Sequence, residues 1–254
     1  MLMKLIALTL ALMMTSCGQT VPEKTSPTPG DETTTDGAEV SAVTVTEHHG
    51  ELSYLLYEPA EVSGDLPLIV YLHGGSGKGD DLSLLTSVDG LPEYLADGKV
   101  APDAYVVMPQ LTSDHKGWVD VGEDIMKLIG ALEEEYSIDP DRVSLTGHSM
   151  GGTGVWQLAL AYPGSFSAIA PLSGSVMTNE LNLKKLSKLS VRAVVGSDDT
   201  IVSPESSEKF IAALSRTNSE ATLITLDGYD HFDVPTYYLD SDAGLLDWLI
   251  SRKK

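Results

Sequence analysis

The residues best placed to do chemistry are Gly147-His148-Ser149-Met150-Gly151, a G-x-S-x-G pentapeptide between the apolar run "RVSLT" and the helix-forming stretch "GVWQLALAY". A sharp strand-to-helix turn at such a sequence leaves the central hydroxyl exposed. Gly147 and Gly151 suit it because they tolerate close backbone approach. The following helix aims its N-terminal amides at Ser149 and favours developing negative charge there. The chemistry this allows is acyl transfer through a serine ester. A serine hydroxyl is too weak an acid to react unaided, so a base, an acid and an oxyanion site must be supplied elsewhere.

Six histidines are available as the base. His48 and His49 fall in an expected hairpin turn, and His115 in a polar loop. His148 adjoins Ser149, and neighbouring side chains on a tight turn diverge. His73 is expected to brace its loop rather than titrate. His231, in "LDGYDHFDV", follows the last strand and is the expected base. For the acid, "VVGSDDTIV" offers Asp198 and Asp199, and the residues alone leave the pair open. Asp227, Asp230 and Asp233 are nearer to His231 in sequence, but most carboxylates in so acidic a chain are solvated. In "YLHGGSGKGDD" the backbone N–H of Gly75, or failing that of Ser76, is expected to share an oxyanion with the N–H of Met150. A phosphate-cradling loop around Lys78 would need G-x-x-x-x-G-K-[ST], which is absent.

The elements that must position these residues alternate. "AVTVTE" and "LSYLLYEP" read as a β-hairpin around "HHGE". "LPLIVYLHGG" and "AYVVMPQ" read as strands buried on both faces, with "DRVSLTG", "FSAIAPLSG", "VRAVVGSDD" and "ATLITLDG" as further strands. Helices are expected over "VGEDIMKLIGALEEEYSI", with Val121, Ile125, Leu128, Ile129 and Leu132 on one face, and over "GGTGVWQLALAYP", "PESSEKFIAALSRT" and "SDAGLLDWLISR". This order predicts an α/β fold: a mostly parallel sheet covered by helices on both faces, with an antiparallel N-terminal hairpin. Chemistry then belongs at the carboxyl ends of the strands. Only Ser175 to Ser190 separates "APLSG" from "VRAVVG", too short for a large helical lid.

The order Ser149, Asp199, His231, together with "HGG" and "GHSMGG", resembles the α/β-hydrolase fold. Within it, "PQ…W…YSIDPDRVSLTGHSMGGTGVWQLALAYPGSFSAIAPLSG", beginning at Pro109-Gln110, is similar to the feruloyl esterase-like, polyhydroxybutyrate depolymerase-like and "predicted peptidase" group. The resemblance runs from about Leu66 to Lys254 and is most specific between Tyr136 and Gly174. The family's acid follows G-x-x-D-x-x-V, which Gly196 to Val202 match with Asp199 at the aspartate. The resemblance also implies that Trp118, in "DHKGWVD", is a substrate-side wall, a buried structural tryptophan being the alternative. It implies a serine carboxylic-ester hydrolase that needs neither metal nor organic cofactor. The substrates expected are exposed esters of extracellular carbohydrates or phenolic acids. A serine peptidase on the same fold and a non-enzymatic surface lipoprotein are the alternatives.

Composition bounds the partners. The chain has 254 residues and a formal net charge of −21, which argues against nucleic acid as a partner. Residues 1–16 read as a lipoprotein signal peptide, with "LIALTLALMM" too short to span a bilayer comfortably. Cys17, the one cysteine, sits where a lipobox cysteine is lipidated, so a membrane attachment and an exported location are expected. Residues 17–39, rich in Thr, Pro, Ser and acid, read as a disordered tether spanning roughly 25 Å. Residues 40–254 form the expected catalytic domain. Its oligomeric state is open.

Overall fold

The computed structural model describes residues 44–254 except 49 and 89. The expected signal peptide, Cys17, the tether and His49 lie outside the described residues.

Strand formation follows the β-branched and aromatic runs. β1 (Thr44–His48) and β2 (Tyr54–Glu58) pair antiparallel, and β2 pairs antiparallel with β4 (Tyr105–Pro109). β3 (Leu66–Leu72), β5 (Ile138–His148), β6 (Ala168–Leu172), β7 (Ser190–Gly196) and β8 (Ala221–Leu226) continue the sheet with β4 in parallel. The order is β1-β2-β4-β3-β5-β6-β7-β8. The hairpin therefore sits at one edge, as expected, and the strand that leads to Ser149 lies in the middle.

Because strand side chains alternate in direction, each central strand feeds two cores. Leu68, Val70 and Leu72 of β3 face one core, and Ile69 and Tyr71 face the other. The first core is covered by α2 (Gly122–Glu135), α3 (Met150–Ala161) and α5 (Glu205–Leu214). Ile125, Ile129 and Leu132 form the buried stripe of α2, and Leu128 packs partly buried beside them. The second core is covered by α1 (Leu91–Ala96), α6 (Leu245–Ile250) and a short helical segment over Val234–Leu239. Helices on both faces are what a sheet buried on both sides demands.

Two helices have no counterpart in the sequence reading: α1, and α4 (Glu180–Lys185). Each has only six residues, too few for a helical period to show. β5 is also longer than "DRVSLTG" suggests. It starts at Ile138, which the sequence reading places at the end of the helix, because α2 stops at Glu135 and Leu66 pairs with Ile138 across an irregular register. The strand then anchors α6: Ser144 Oγ donates to the Leu249 carbonyl at 2.9 Å, and the Arg142 guanidinium donates to the Ile250 carbonyl at 2.8 Å.

Trp156 of α3 is 1% exposed and meets Phe210 of α5 edge to face at 5.1 Å between ring centres. Trp156→Ala should cost about 3–5 kcal/mol through the cavity it leaves. Urea denaturation would read this as a lowered midpoint with an unchanged slope.

Candidate active site

The turn between β5 and α3 holds Ser149 at φ +60° and ψ −117°, a region that L-residues seldom occupy. Such a conformation costs roughly 1–3 kcal/mol and persists only where its surroundings over-determine it. Here the surroundings do so. The Ser149 N–H donates to the Leu172 carbonyl of β6 at 3.0 Å, and the Ser149 carbonyl accepts from Thr153 N at 2.9 Å. The glycines on either side are sterically required. A Cβ on Gly147 would lie 2.4 Å from the Leu72 carbonyl oxygen, and one on Gly151 only 1.8 Å from it.

His231, in the loop after β8, reaches back over the sheet. Its Nε2 accepts from Ser149 Oγ at 2.8 Å, and its Nδ1 donates to Asp199 Oδ2 at 2.7 Å. The imidazole and the carboxylate are both buried. The other carboxylate oxygen, Asp199 Oδ1, accepts from the backbone N–H groups of Ile201 (3.0 Å) and Val202 (2.8 Å). Burial alone would raise the Asp199 carboxyl. The bonds from His231 and the Val202 amide, with the nearby Ser173 hydroxyl, outweigh that and hold it below the usual range. The structure thus decides between the two adjacent aspartates: Asp198 is exposed and accepts from Ser197 Oγ instead. Asp230 accepts from Phe232 N and Asp233 N, shaping the turn around His231. Sequence reasoning missed Ser173, whose φ of +46° is the other positive value among non-glycine residues described.

The loop of Gly74 and Gly75 lies across from Ser149. Neither the Gly75 N–H nor the Met150 N–H donates to an acceptor among the described residues. Both are therefore free donors, at the first turn of a short helix (Gly75–Gly77) and at the start of α3. The loop is stapled from beneath. His73 Nδ1 donates to the Gly74 carbonyl at 2.6 Å while Nε2 accepts from Leu111 N at 2.9 Å, which fixes a neutral tautomer. Burial, aided by the charge of Lys78 and opposed by the Gly74 bond, brings the His73 pKa down to about 4. Gln110, part of the "PQ" on which the family resemblance draws, donates to the carbonyls of Gly77 (3.0 Å) and Asp81 (2.7 Å). Lys78 bonds the His115 carbonyl. His73 braces its loop as expected.

Trp118 requires a correction. It is fully buried, faces the core rather than the cavity, and donates from Nε1 to the His73 carbonyl at 3.1 Å. Its ring fills the space left by Gly154, where a Cβ would come within 2.6 Å. A hydrogen-bonding indole wedged under the loop cannot also form a wall to substrate.

Ser149 and His231 open into a cavity of about 540 Å³ lined also by Gly74, Gly75, Ser76, Ser87, Val88, His148, Ile201, Phe232 and Pro235. Of these, Ser87, Val88, Ile201, Phe232 and Pro235 carry no sequence pattern that marks them, since spatial convergence alone brings them here. The His148 ring lies 4.7 Å from that of His231. Burial and the neighbouring His231 bring the His148 pKa down to about 4. Among the described residues no group of three His, Cys, Asp or Glu has metal-ligand geometry. What the arrangement can do is remove the Ser149 proton through an oriented imidazole, with two unengaged backbone N–H groups on the neighbouring loop and helix start.

Known proteins share this arrangement of elements. Residues 48–248 match the model of the family described as "Putative esterase". Poly(3-hydroxyalkanoate) depolymerase C of Paucimonas lemoignei is 27% identical over 143 residues, 49% of this chain and 32% of that protein. The chain thus spans about a third of that curated relative. A thermostable esterase superposes with a TM-score of 0.66 at 21% identity, over 84% of this chain and 63% of the other. A feruloyl esterase module from Clostridium thermocellum, solved with sinapinate, gives 0.59 at 17% identity, over 79% and 86%. At these identities the two structures share the fold, a mostly parallel α/β-hydrolase sheet.

The two neutral histidines make stability depend on pH. Their folded pKa of about 4 lies below the ordinary 6.5, so between those values the unfolded chain binds protons that the folded chain excludes. Stability should be full above pH 6.5 and fall as the pH drops toward 4. For His73 the slope is about 1.4 kcal/mol per pH unit. Urea midpoints at pH 7.5, 6 and 5 (roughly spanning this window) would measure it, and a flat series would contradict the neutral assignment.

Proposed function

The chain belongs to this esterase family, and from that premise we propose that Ser149, His231 and Asp199 are its nucleophile, base and acid. It is a carboxylic-ester hydrolase of the α/β-hydrolase fold. The observation that carries the residue assignment is the continuous bond series Ser149 Oγ to His231 Nε2 and His231 Nδ1 to Asp199 Oδ2, at 2.8 and 2.7 Å. Ser149 attacks the ester carbonyl as His231 takes its proton. The oxyanion is received by the N–H groups of Met150 and Gly75. His231 then returns the proton to the leaving alcohol, and water releases the acyl group by the same route. Asp199 orients the imidazole and stabilises its charged form.

Exposed esters of extracellular carbohydrates or phenolic acids are the proposed substrates. Two observations support this reading, and an expectation from the sequence agrees with it. The segment 175–190 between β6 and β7 contributes only the six-residue α4 and no large lid. The cavity is therefore reachable by an ester attached to something bulky. The solved feruloyl esterase module was captured with sinapinate, a phenolic acid. An export signal and lipidation at Cys17 would also place the domain outside the cytoplasm, tethered to a membrane.

A fluorophosphonate probe should label the protein at Ser149, as read by peptide mass. Ser149→Ala should abolish labelling and lower kcat on p-nitrophenyl acetate by about a million-fold. Asp199→Asn should keep the fold and lower kcat by about ten-thousand-fold. Retained turnover in the alanine variant would remove Ser149 from the mechanism. In a wild-type substrate panel, methyl ferulate and acetylated xylan should be hydrolysed, whereas a peptide anilide should not.

A further inference from the structure

Two of the apolar side chains lining the catalytic cavity are borne by the loops that carry Asp199 and His231. Ile201 follows Asp199 by two residues, and its N–H is bonded to that carboxylate. Phe232 directly follows His231 and stands edge-on to the imidazole, with ring centres 5.5 Å apart and planes at 85°. Both are well exposed, Ile201 at 58% and Phe232 at 69%. Together they offer the cavity exposed apolar area whose burial by a bound group is favourable. The turn backbone is held in place: Asp230 Oδ1 accepts from the backbone N–H groups of both Phe232 and Asp233.

The chemistry of the step says which part of a substrate meets Phe232. In acyl transfer the imidazole that deprotonates the nucleophile must later protonate the leaving oxygen. The leaving oxygen therefore lies beside His231 Nε2, and the group attached to it passes out along the His231 loop. Two rings on that loop are exposed, Tyr229 and Phe232, and of them Phe232 lines the same cavity as Ser149. We propose that Phe232 is a specificity-determining residue for the leaving alcohol, and that this alcohol is uncharged and presents a flat apolar face. An aromatic ring or the C–H face of a sugar would meet that description. The described lining holds no Lys or Arg, so an anionic group on the leaving alcohol, beyond reach of His231, would lose its hydration without a basic side chain to pair with. The formal charge of −21 opposes it further.

The inference rests on Ser149 and His231 acting as proposed, and its test is built to separate the two. Acetate esters keep the acyl-enzyme constant while the alcohol varies. Benzyl acetate, 2-methoxyethyl acetate and 4-(acetoxymethyl)benzoate have alcohols of comparable acidity. The wild type should favour benzyl acetate in kcat/KM over both others, by about tenfold or more. Phe232→Ala, at an exposed position that the fold does not need, should collapse the benzyl preference over methoxyethyl. It should leave unchanged the ratio between benzyl acetate and benzyl butyrate, which differ only in the acyl group. Three results would overturn the assignment: an unchanged benzyl preference in Phe232→Ala, a shift in the acyl ratio instead, or equal turnover of the benzoate ester. Failure of the wild type to turn over any acetate ester, with no fluorophosphonate labelling, would instead sink the serine-esterase assignment and this inference with it.

Discussion

The approach of the Ser149 turn to the end of β3 is the contact on which the remainder depends. The Leu72 carbonyl oxygen occupies the space that a side chain on Gly147 or Gly151 would need. It can do so only because β3 and β5 are parallel neighbours, in register from Leu68 opposite Val143 to Leu72 opposite Gly147. That register delivers the Gly74–Gly75 loop and the Ser149 turn to the same end of the sheet. α3 then packs tightly from the other side. A Cβ on Gly152 would meet the Leu172 carbonyl of β6 at 2.2 Å, and one on Gly154 the Trp118 ring. Strain at Ser149 is thus held by two strands and a buried tryptophan, in keeping with cores that resist small displacements.

Around this turn, polar groups are arranged so that few have freedom to choose another partner. Asp199 has one oxygen on His231 and the other on two backbone amides. The carboxylate consequently stays ionised despite its burial, and a buried imidazole beside it has one useful orientation. On the opposite side, His73, Gln110 and Trp118 hold the segment 73–81 by side-chain bonds to carbonyls and amides. The loop is therefore bonded in place without using the Gly75 N–H for its own structure. Preorganised donors of this kind need no reorganisation when charge develops.

The cavity contrasts with the surface that surrounds it. A chain with 37 acidic and 16 basic side chains lines its reactive cleft, among the described residues, with glycines, serines, histidines and apolar groups. Charge serves the exterior, where Lys99, Lys127 and Lys209 each pair with nearby carboxylates. Exposed pairs of this type contribute little to stability. The fold rests on the two cores that sandwich the sheet.

Much of this was legible beforehand, for identifiable reasons. The buried strands announce themselves as apolar runs, and α2, α3 and α5 by length and period. The nucleophile turn is legible because glycine is demanded at fixed spacing around one serine. Ser149, His231 and the oxyanion loop follow from their places after strands. Asp199 needed the family-like spacing, since two adjacent aspartates differ only in which one the chain turns toward His231. Short α1 and α4 left no periodic trace. Trp118 was misread because an aromatic near a reactive loop looks the same in sequence whether it faces the substrate or the core; only packing against Gly154 and the bond to the His73 carbonyl decided it. Ser173 and Phe232 were invisible for a related reason. By itself the sequence determined the order of elements and the type of chemistry, because those depend on local pattern and spacing. Tertiary structure alone decided which side chains converge, since residues as far apart as Ser87, Ile201 and Phe232 meet only when the sheet brings their loops to one end.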